Sequence, residues 1–391
     1  MEKNTKVQIP YRYDFVGSFL RPQNLKDAKE KFQKGDISKE EFDKIVNEEI
    51  TKVVAKQKEL GFHIITDGEF RRTYWHLDFM WGFEGVAHED RGNGLDIGNE
   101  IAFFEDTYLI GRIRAKLHPF VDYFKFLKQF EDENTIAKYT IPSPAQFLRQ
   151  MTKKAFYEQT RKIYPNNEEL INDIAKAYQD VIKQFYDAGC RNLQLDDCTW
   201  GSIVGDIDKA KLRYEHLNLD LDIIKSLFLK VNNLALENKP ENMVITSHLC
   251  RGNFHSKSIL SGAYDTVAEY VFAKENVDAL FLEYDDERSG GFEPLKYVSK
   301  DKKIVLGLIT SKRPKLEEKE KIIERIHEAA KYVPLDRLCL SPQCGFASCE
   351  IGNILIEEEQ WAKLKLVKEI AEEVWNKNIY LKPKNKGHKK I

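Results

Sequence analysis

Short apolar runs alternate with longer amphipathic stretches along most of this chain. The runs are Phe15–Phe19, Ile64–Glu69, Tyr139–Pro142, Asn192–Asp196, Val244–His248, Leu280–Glu283, Ile304–Ile309 and Leu338–Ser341. Most are too short for helices, and many are rich in Ile, Val, Leu and Phe, as suits strands buried in a parallel sheet. Between them apolar residues recur at helical spacing. Lys39–Leu60 carries Phe42, Ile45, Val46, Ile50, Val53, Val54 and Leu60 and then meets Gly61, a good helix terminator. Glu168–Ala188 meets Gly189 in the same manner, and Leu221–Leu236, Gly262–Ala273, Leu316–Tyr332 and Glu357–Trp375 complete the set.

Strand–helix alternation repeated about eight times predicts an α/β fold, a (β/α)8 TIM barrel. A doubly wound sheet is the other arrangement such a pattern allows, but no GxGxxG follows a strand here. Two segments fall outside the repeat. Residues 83–137, Gly-rich and aromatic with a β-like Gly111–Leu117, read as an insertion after the second strand; 377–391 is a basic C-terminal tail. The expectation is a single catalytic barrel over residues 1–376, since barrels with insertions reach the length of this 391-residue chain.

Composition narrows the partners. Hydrophobic residues make up 42% and charged residues 32%, enough for a large core under a solvated surface. A net charge of -2 lacks the basic excess of a nucleic-acid binder. No stretch approaches the roughly 18 apolar residues of a membrane helix, and the N-terminal MEKNTKVQIPYRYDF has no apolar signal region. The expected location is cytoplasmic. The six cysteines are then reduced, and those near functional motifs read better as metal ligands or nucleophiles than as disulfides.

In a barrel the chemistry sits at the C-terminal strand ends. Read in order, those ends hold Gly17-Ser18 (FVGSFLRP), Asp67-Gly68-Glu69 (ITDGEFRR), Asp196-Asp197 (LQLDDCTW), His248 and Cys250 (ITSHLCRGNF), Glu283 (LFLEYDD), Thr310-Ser311 (GLITSKRP) and Cys344 (LSPQCGFAS). His248 and Cys250 are two apart and share a strand face. With Glu283 and Cys344 they make a four-coordinate set of two thiolates, one imidazole and one carboxylate, which suits Zn2+ and disfavours magnesium or calcium. The competing reading is that a lone HxC pair is inert buried structure. Cys190, Cys198, Cys339 and Cys349 have weaker claims: Cys339 reads as core, Cys198 and Cys349 as rim. Glu69 and Asp196 end separate strands and need a partner if buried, either a substrate ammonium or, for Glu69, Arg71 or Arg72. Ser18 beside Gly17 offers donors to a substrate carboxylate. Trp200 and Trp81 are candidates for stacking a flat ring.

Taken together, VGSFLRP, DGEF, LQLDD, SHLC, the strand-end Glu283 and SPQCGFAS resemble, in order and over about residues 10–375, the C-terminal catalytic barrel of the cobalamin-independent methionine synthases. The resemblance implies a zinc-dependent methyltransferase that moves a methyl group from 5-methyltetrahydrofolate, in polyglutamate form, to the thiol of homocysteine, giving methionine. It implies His248, Cys250, Glu283 and Cys344 as zinc ligands, Glu69 and Asp196 as contacts to the homocysteine amino group, and Ser18 as a contact to its carboxylate. Two departures stand out. The chain leaves no room for the second, N-terminal barrel of the long enzymes, and resembles the short, catalytic-domain-only members. A histidine that follows the seventh strand in the long enzymes, helping to protonate the leaving group, is replaced by Thr310, which is no useful general acid near neutral pH. Either His255 or Asp285 supplies that proton, or the donor is a corrinoid, held by a methyl-carrier protein, or a sulfonium. A non-catalytic zinc-binding accessory protein is the alternative of another class.

Overall fold

The structure, a computed structural model, describes residues 8–376 except 91, 93, 97–100 and 104. The basic tail 377–391 lies outside the described residues.

Seven of the eight expected runs form strands: β1 (Ile64–Ile65), β2 (Tyr139–Pro142), β3 (Asn192–Asp197), β4 (Val244–Leu249), β5 (Ala279–Glu283), β6 (Lys303–Ile309) and β7 (Leu338–Pro342). Six of them make one sheet in the order β7-β6-β5-β4-β3-β2, every neighbour parallel. Sequence neighbours are thus sheet neighbours, as strand–helix–strand crossovers require. β1 pairs in parallel with Ile136–Ala137, one residue before β2. On the other edge Tyr13 bridges Leu340 of β7, with Asp14 N–H donating to the Leu340 carbonyl at 3.0 Å. These seven strands and the single Tyr13 bridge, the staves of the barrel, follow the expected order.

The first run departs from expectation. Phe15–Phe19 forms no ladder, because its polar groups bond to side chains and loops instead. The Phe15 carbonyl accepts from the buried Lys138 ammonium, the Val16 carbonyl from Gln194 and the Gly17 carbonyl from Thr66. The second run is shorter than expected: the strand ends at Ile65, and Gly68 and Glu69 at φ 67 and 63 lie outside strand geometry.

The helices lie close to expectation because their ends carry the right chemistry. Ser38 and Glu41 form a reciprocal capping box on Lys39–Glu59, and Gly61 follows at φ 80. Asn166 caps Asn167–Asp187, followed by Gly189 at φ 92. The stripe Val46, Ile50, Val53 and Val54 is buried, as is Ile171, Ile174, Tyr178, Val181 and Phe185 of the second helix. One contiguous core runs beneath all the staves, and the residues of β2, β3, β5 and β7 are buried throughout.

Between β1 and β2, Glu84–Glu89 pairs antiparallel with Asp106–Arg114 and is followed by the helix Pro119–Lys128. Gln150 and Tyr164 bond to this hairpin at Thr107 and Ile113. Trp81 stacks on His88 at 3.9 Å and donates to Thr107. Among the described residues, no helix is long and apolar enough to cross a membrane.

Candidate metal and amino-acid site

Side-chain alternation decides which strand-end residues meet. In β3 and β4, Asp196 and His248 occupy the same rung, so both project to one face, while Asp197 projects to the other. There Asp197 accepts from Thr199 and from Asn232 of the surrounding helix Leu221–Leu236. The motif LQLDD therefore divides its two carboxylates between the barrel mouth and the scaffold.

His248, Cys250, Glu283 and Cys344 converge. All four are buried, and one donor atom from each lies within 4.8 Å of the others. The two sulfurs are 3.7 Å apart. Two sulfurs held at about 2.3 Å by one tetrahedral ion lie about 3.8 Å apart, whereas a disulfide needs about 2.05 Å. Both ring nitrogens of His248 are buried without a hydrogen-bond partner among the described residues, an arrangement that calls for an external partner. These donors and spacings fit a cation.

The protein alone favours neutral thiols here. The hydrogen bond between Cys250 and Cys198 is the largest influence on the Cys250 thiol, and burial adds to it, holding this thiol well above the ordinary range. Contact with Cys250, then burial, does the same to Cys344. Glu283 behaves oppositely. Burial opposes its charge, but Lys312, Arg288, His248 and the Arg251 N–H together outweigh it and hold the carboxyl below its usual range.

Three loops are stitched together around this cluster. Asn253 donates to Ser311 at 3.2 Å and to the Gly345 carbonyl at 2.9 Å, tying the segment after β4 to those after β6 and β7. A Cβ on Gly345 would sit 2.0 Å from the Ser18 hydroxyl, so only glycine lets the Cys344 loop lie on Ser18. The Ser18 hydroxyl accepts the Ala347 N–H at 3.2 Å, and Arg21 bonds the carbonyls of Phe19, Glu69 and Ala347.

Glu69 reaches the mouth through its left-handed turn, which the Asp67 carboxylate supports by accepting the Glu69 N–H at 2.9 Å. One of its oxygens accepts from Thr140 at 2.7 Å and faces Arg72 at 3.2 Å. The expected structural pair with an arginine is thus present, to Arg72; Arg71 instead bonds Asn47 and lies over Tyr123 and Phe126. The second Glu69 oxygen is buried without a partner among the described residues. Burial, and then the charge of Glu69, pushes Asp196 up to about 8. Two mutually repelling buried carboxyls would suit a cationic head group.

The remaining candidates sit elsewhere. Trp200 is fully buried, its ring edge-on to Phe228 at 6.2 Å, a packing position. His255 occupies the turn between Asn253–Phe254 and Lys257–Ser258 at φ 46. Asp285 is bonded by Arg288, and burial holds its carboxyl above the usual range despite Lys312. Thr310 builds a turn, its N–H donating to Glu317 and its hydroxyl accepting from the Lys312 N–H. Cys339 packs with Val16, Phe281 and Val305. Sequence reasoning missed Asn253, Arg288 and Lys312. Their signal was present as polar residues directly after β4, β5 and β6, but each also reads as an ordinary solvated loop residue.

Comparison with known proteins agrees with this architecture. The family model for the catalytic domain of cobalamin-independent synthase matches residues 14–93 and 151–373. The uncharacterised proteins YxjH and YxjG of Bacillus subtilis are 46% and 43% identical, over 96% and 94% of this chain and 97% and 95% of theirs. A 5-methyltetrahydropteroyltriglutamate–homocysteine methyltransferase of Thermotoga maritima is 23% identical over 84% of this chain, which spans only 40% of that enzyme. Among solved structures, a Listeria monocytogenes protein described as a candidate vitamin-B12-independent methionine synthase superposes with TM-score 0.74 at 42% identity, covering 95% of this chain and 99% of that one. A B12-independent methionine synthase from Shewanella sp. W3-18-1, in complex with selenomethionine, shares the fold at TM-score 0.70 and 19% identity, with coverage of 95% and 99%. The chain belongs to the cobalamin-independent methionine synthase family, and it matches the model of that family's catalytic domain.

Proposed function

We propose that this protein is a zinc-dependent methyltransferase that carries a methyl group to the thiol of homocysteine, forming methionine. The observation that carries the reading is the convergence of two sulfurs, an imidazole and a carboxylate within 4.8 Å, beside two buried carboxyls suited to an amino group. Zinc, when bound, holds a thiol in its nucleophilic thiolate form near neutral pH. His248, Cys250, Glu283 and Cys344 are the residues that would hold it. Glu69 and Asp196 receive the amino group, Ser18 and the adjoining backbone orient the carboxylate, and the side-chain sulfur then points toward the metal ligands. Glu283, the one oxygen donor of the four, is the residue that would yield its place to a substrate sulfur were the ion bound.

With a methyl-folate donor, the homocysteine sulfur forms a bond to the methyl carbon as the carbon–nitrogen bond breaks. The electron pair stays on the folate nitrogen, which takes up a proton. A second reading keeps the thiol chemistry and replaces the donor with a corrinoid or sulfonium, whose leaving group needs no proton. The turn-forming role of Thr310 favours it. Zinc-loaded protein is supplied with homocysteine and 5-methyltetrahydrofolate, as monoglutamate and polyglutamate, with Cys344→Ala as blank. Methionine that forms only with Cys344 present supports the folate reading. Absence of turnover with zinc-dependent homocysteine binding intact moves the donor to the second. Loss of both sinks the thiol-activation account.

A further inference from the structure

Glu283 differs from the other three clustered residues in having strong protein partners already. One of its oxygens accepts the Arg251 N–H at 2.9 Å and the other faces Arg288 at 2.9 Å. Arg288 does not depend on Glu283 for its place. The same guanidinium bonds Asp285 at 2.9 and 3.0 Å and Asp286 at 2.9 Å, and its backbone N–H is capped by Asp286. A second cation stands nearby. Lys312 is buried, its ammonium has no hydrogen-bond partner among the described residues, and of the neighbouring charges it acts most strongly on Glu283.

The carboxylate thus has two sets of partners within reach, the three other clustered residues and a cationic pair anchored on the scaffold. A buried carboxylate leaves a cation readily only when another partner is ready, because an uncompensated buried charge is strongly unfavourable. We propose that Arg288, with Lys312 as the second cation, is the resting place of Glu283 when a thiol substrate takes its position on the metal. Both are positioning residues that set thiol affinity by stabilising the released carboxylate. This rests on the metal-site reading given above.

The test uses cobalt-loaded full-length protein, whose visible absorption reports sulfur ligation, titrated with homocysteine, together with metal affinity from chelator competition. Arg288→Met and Lys312→Met are each expected to weaken homocysteine binding at least tenfold while metal affinity is kept or increased, with Arg288→Lys recovering part of the loss. In a Glu283→Ala background Arg288→Met is expected to change thiol affinity less than twofold, since no carboxylate remains to be received. A merely structural role would lower metal and thiol affinity together and persist in that background; that result overturns the proposal, as does unchanged thiol affinity in both single variants. A wild-type protein whose cobalt spectrum ignores homocysteine overturns the metal-site reading itself, and this inference with it.

Discussion

Metal binding at this cluster should release protons, and the two thiols set how many. Cys250 and Cys344 both lie well above the ordinary thiol range in the protein alone, so both carry protons at pH 8.5 and below, and a bound zinc ion holds both as thiolates. Glu283 lies below its usual range and contributes no proton. Protons are on the free form and off the bound form, so affinity rises with pH. Each thiol contributes about a tenfold gain in apparent affinity per pH unit, or about 1.4 kcal/mol; the pair contributes about a hundredfold, or about 2.7 kcal/mol. Cys344→Ala leaves one thiol and halves the slope. The assay is competition with a chromophoric chelator of known pH dependence, between pH 7.5 and 8.5, above the range in which imidazoles ordinarily titrate. Calorimetry in two buffers of different ionisation heat counts the protons independently. A wild-type affinity flat with pH, or equal slopes in wild type and variant, would refute the claim that both sulfurs bind.

Two further outcomes follow from the buried carboxyls. Methionine has no titrating thiol, so its affinity for the metal-free protein isolates the amino-group site. Because Asp196 is pushed up to about 8 and must ionise to hold an ammonium, that affinity should rise from pH 6.5 to 8.5; Asp196→Asn should weaken binding about tenfold or more and flatten the profile, and pH-independent wild-type binding would count against the assignment. Glu275 is pushed up to about 8 by burial and by Asp197, while its unfolded value lies near 4.3. The folded state therefore keeps protons that the unfolded state has lost, so stability is fullest below about pH 4 for this group and declines as pH rises through about 8. Glu275→Gln, which keeps the Asn232 contact, should lessen that decline in urea denaturation at pH 6 and 8, and an unaltered decline would contradict the account.

Much of the site was legible because parallel strands announce themselves as short apolar runs and end where polar residues begin. His248 and Cys250 share a face by alternation alone, and the ends of β5 and β7 placed Glu283 and Cys344 on the same rim. What alternation could not give was backbone departure from it. Glu69 enters the mouth through a left-handed turn, and Phe15–Phe19 trades its ladder for side-chain bonds from Lys138, Gln194 and Thr66. Nor does sequence distinguish Arg288, paired with Glu283, Asp285 and Asp286, from a solvated loop charge. Trp200 shows the converse: an aromatic beside the motif, turned into the core against Phe228.

The central claim is that a thiol substrate replaces Glu283 on a zinc ion held by His248, Cys250 and Cys344. Zinc-edge X-ray absorption of the loaded protein, with and without homocysteine, tests it most directly. The account predicts two sulfur, one nitrogen and one oxygen ligand before addition, and three sulfur and one nitrogen after it. An unchanged spectrum on saturation with homocysteine would contradict it.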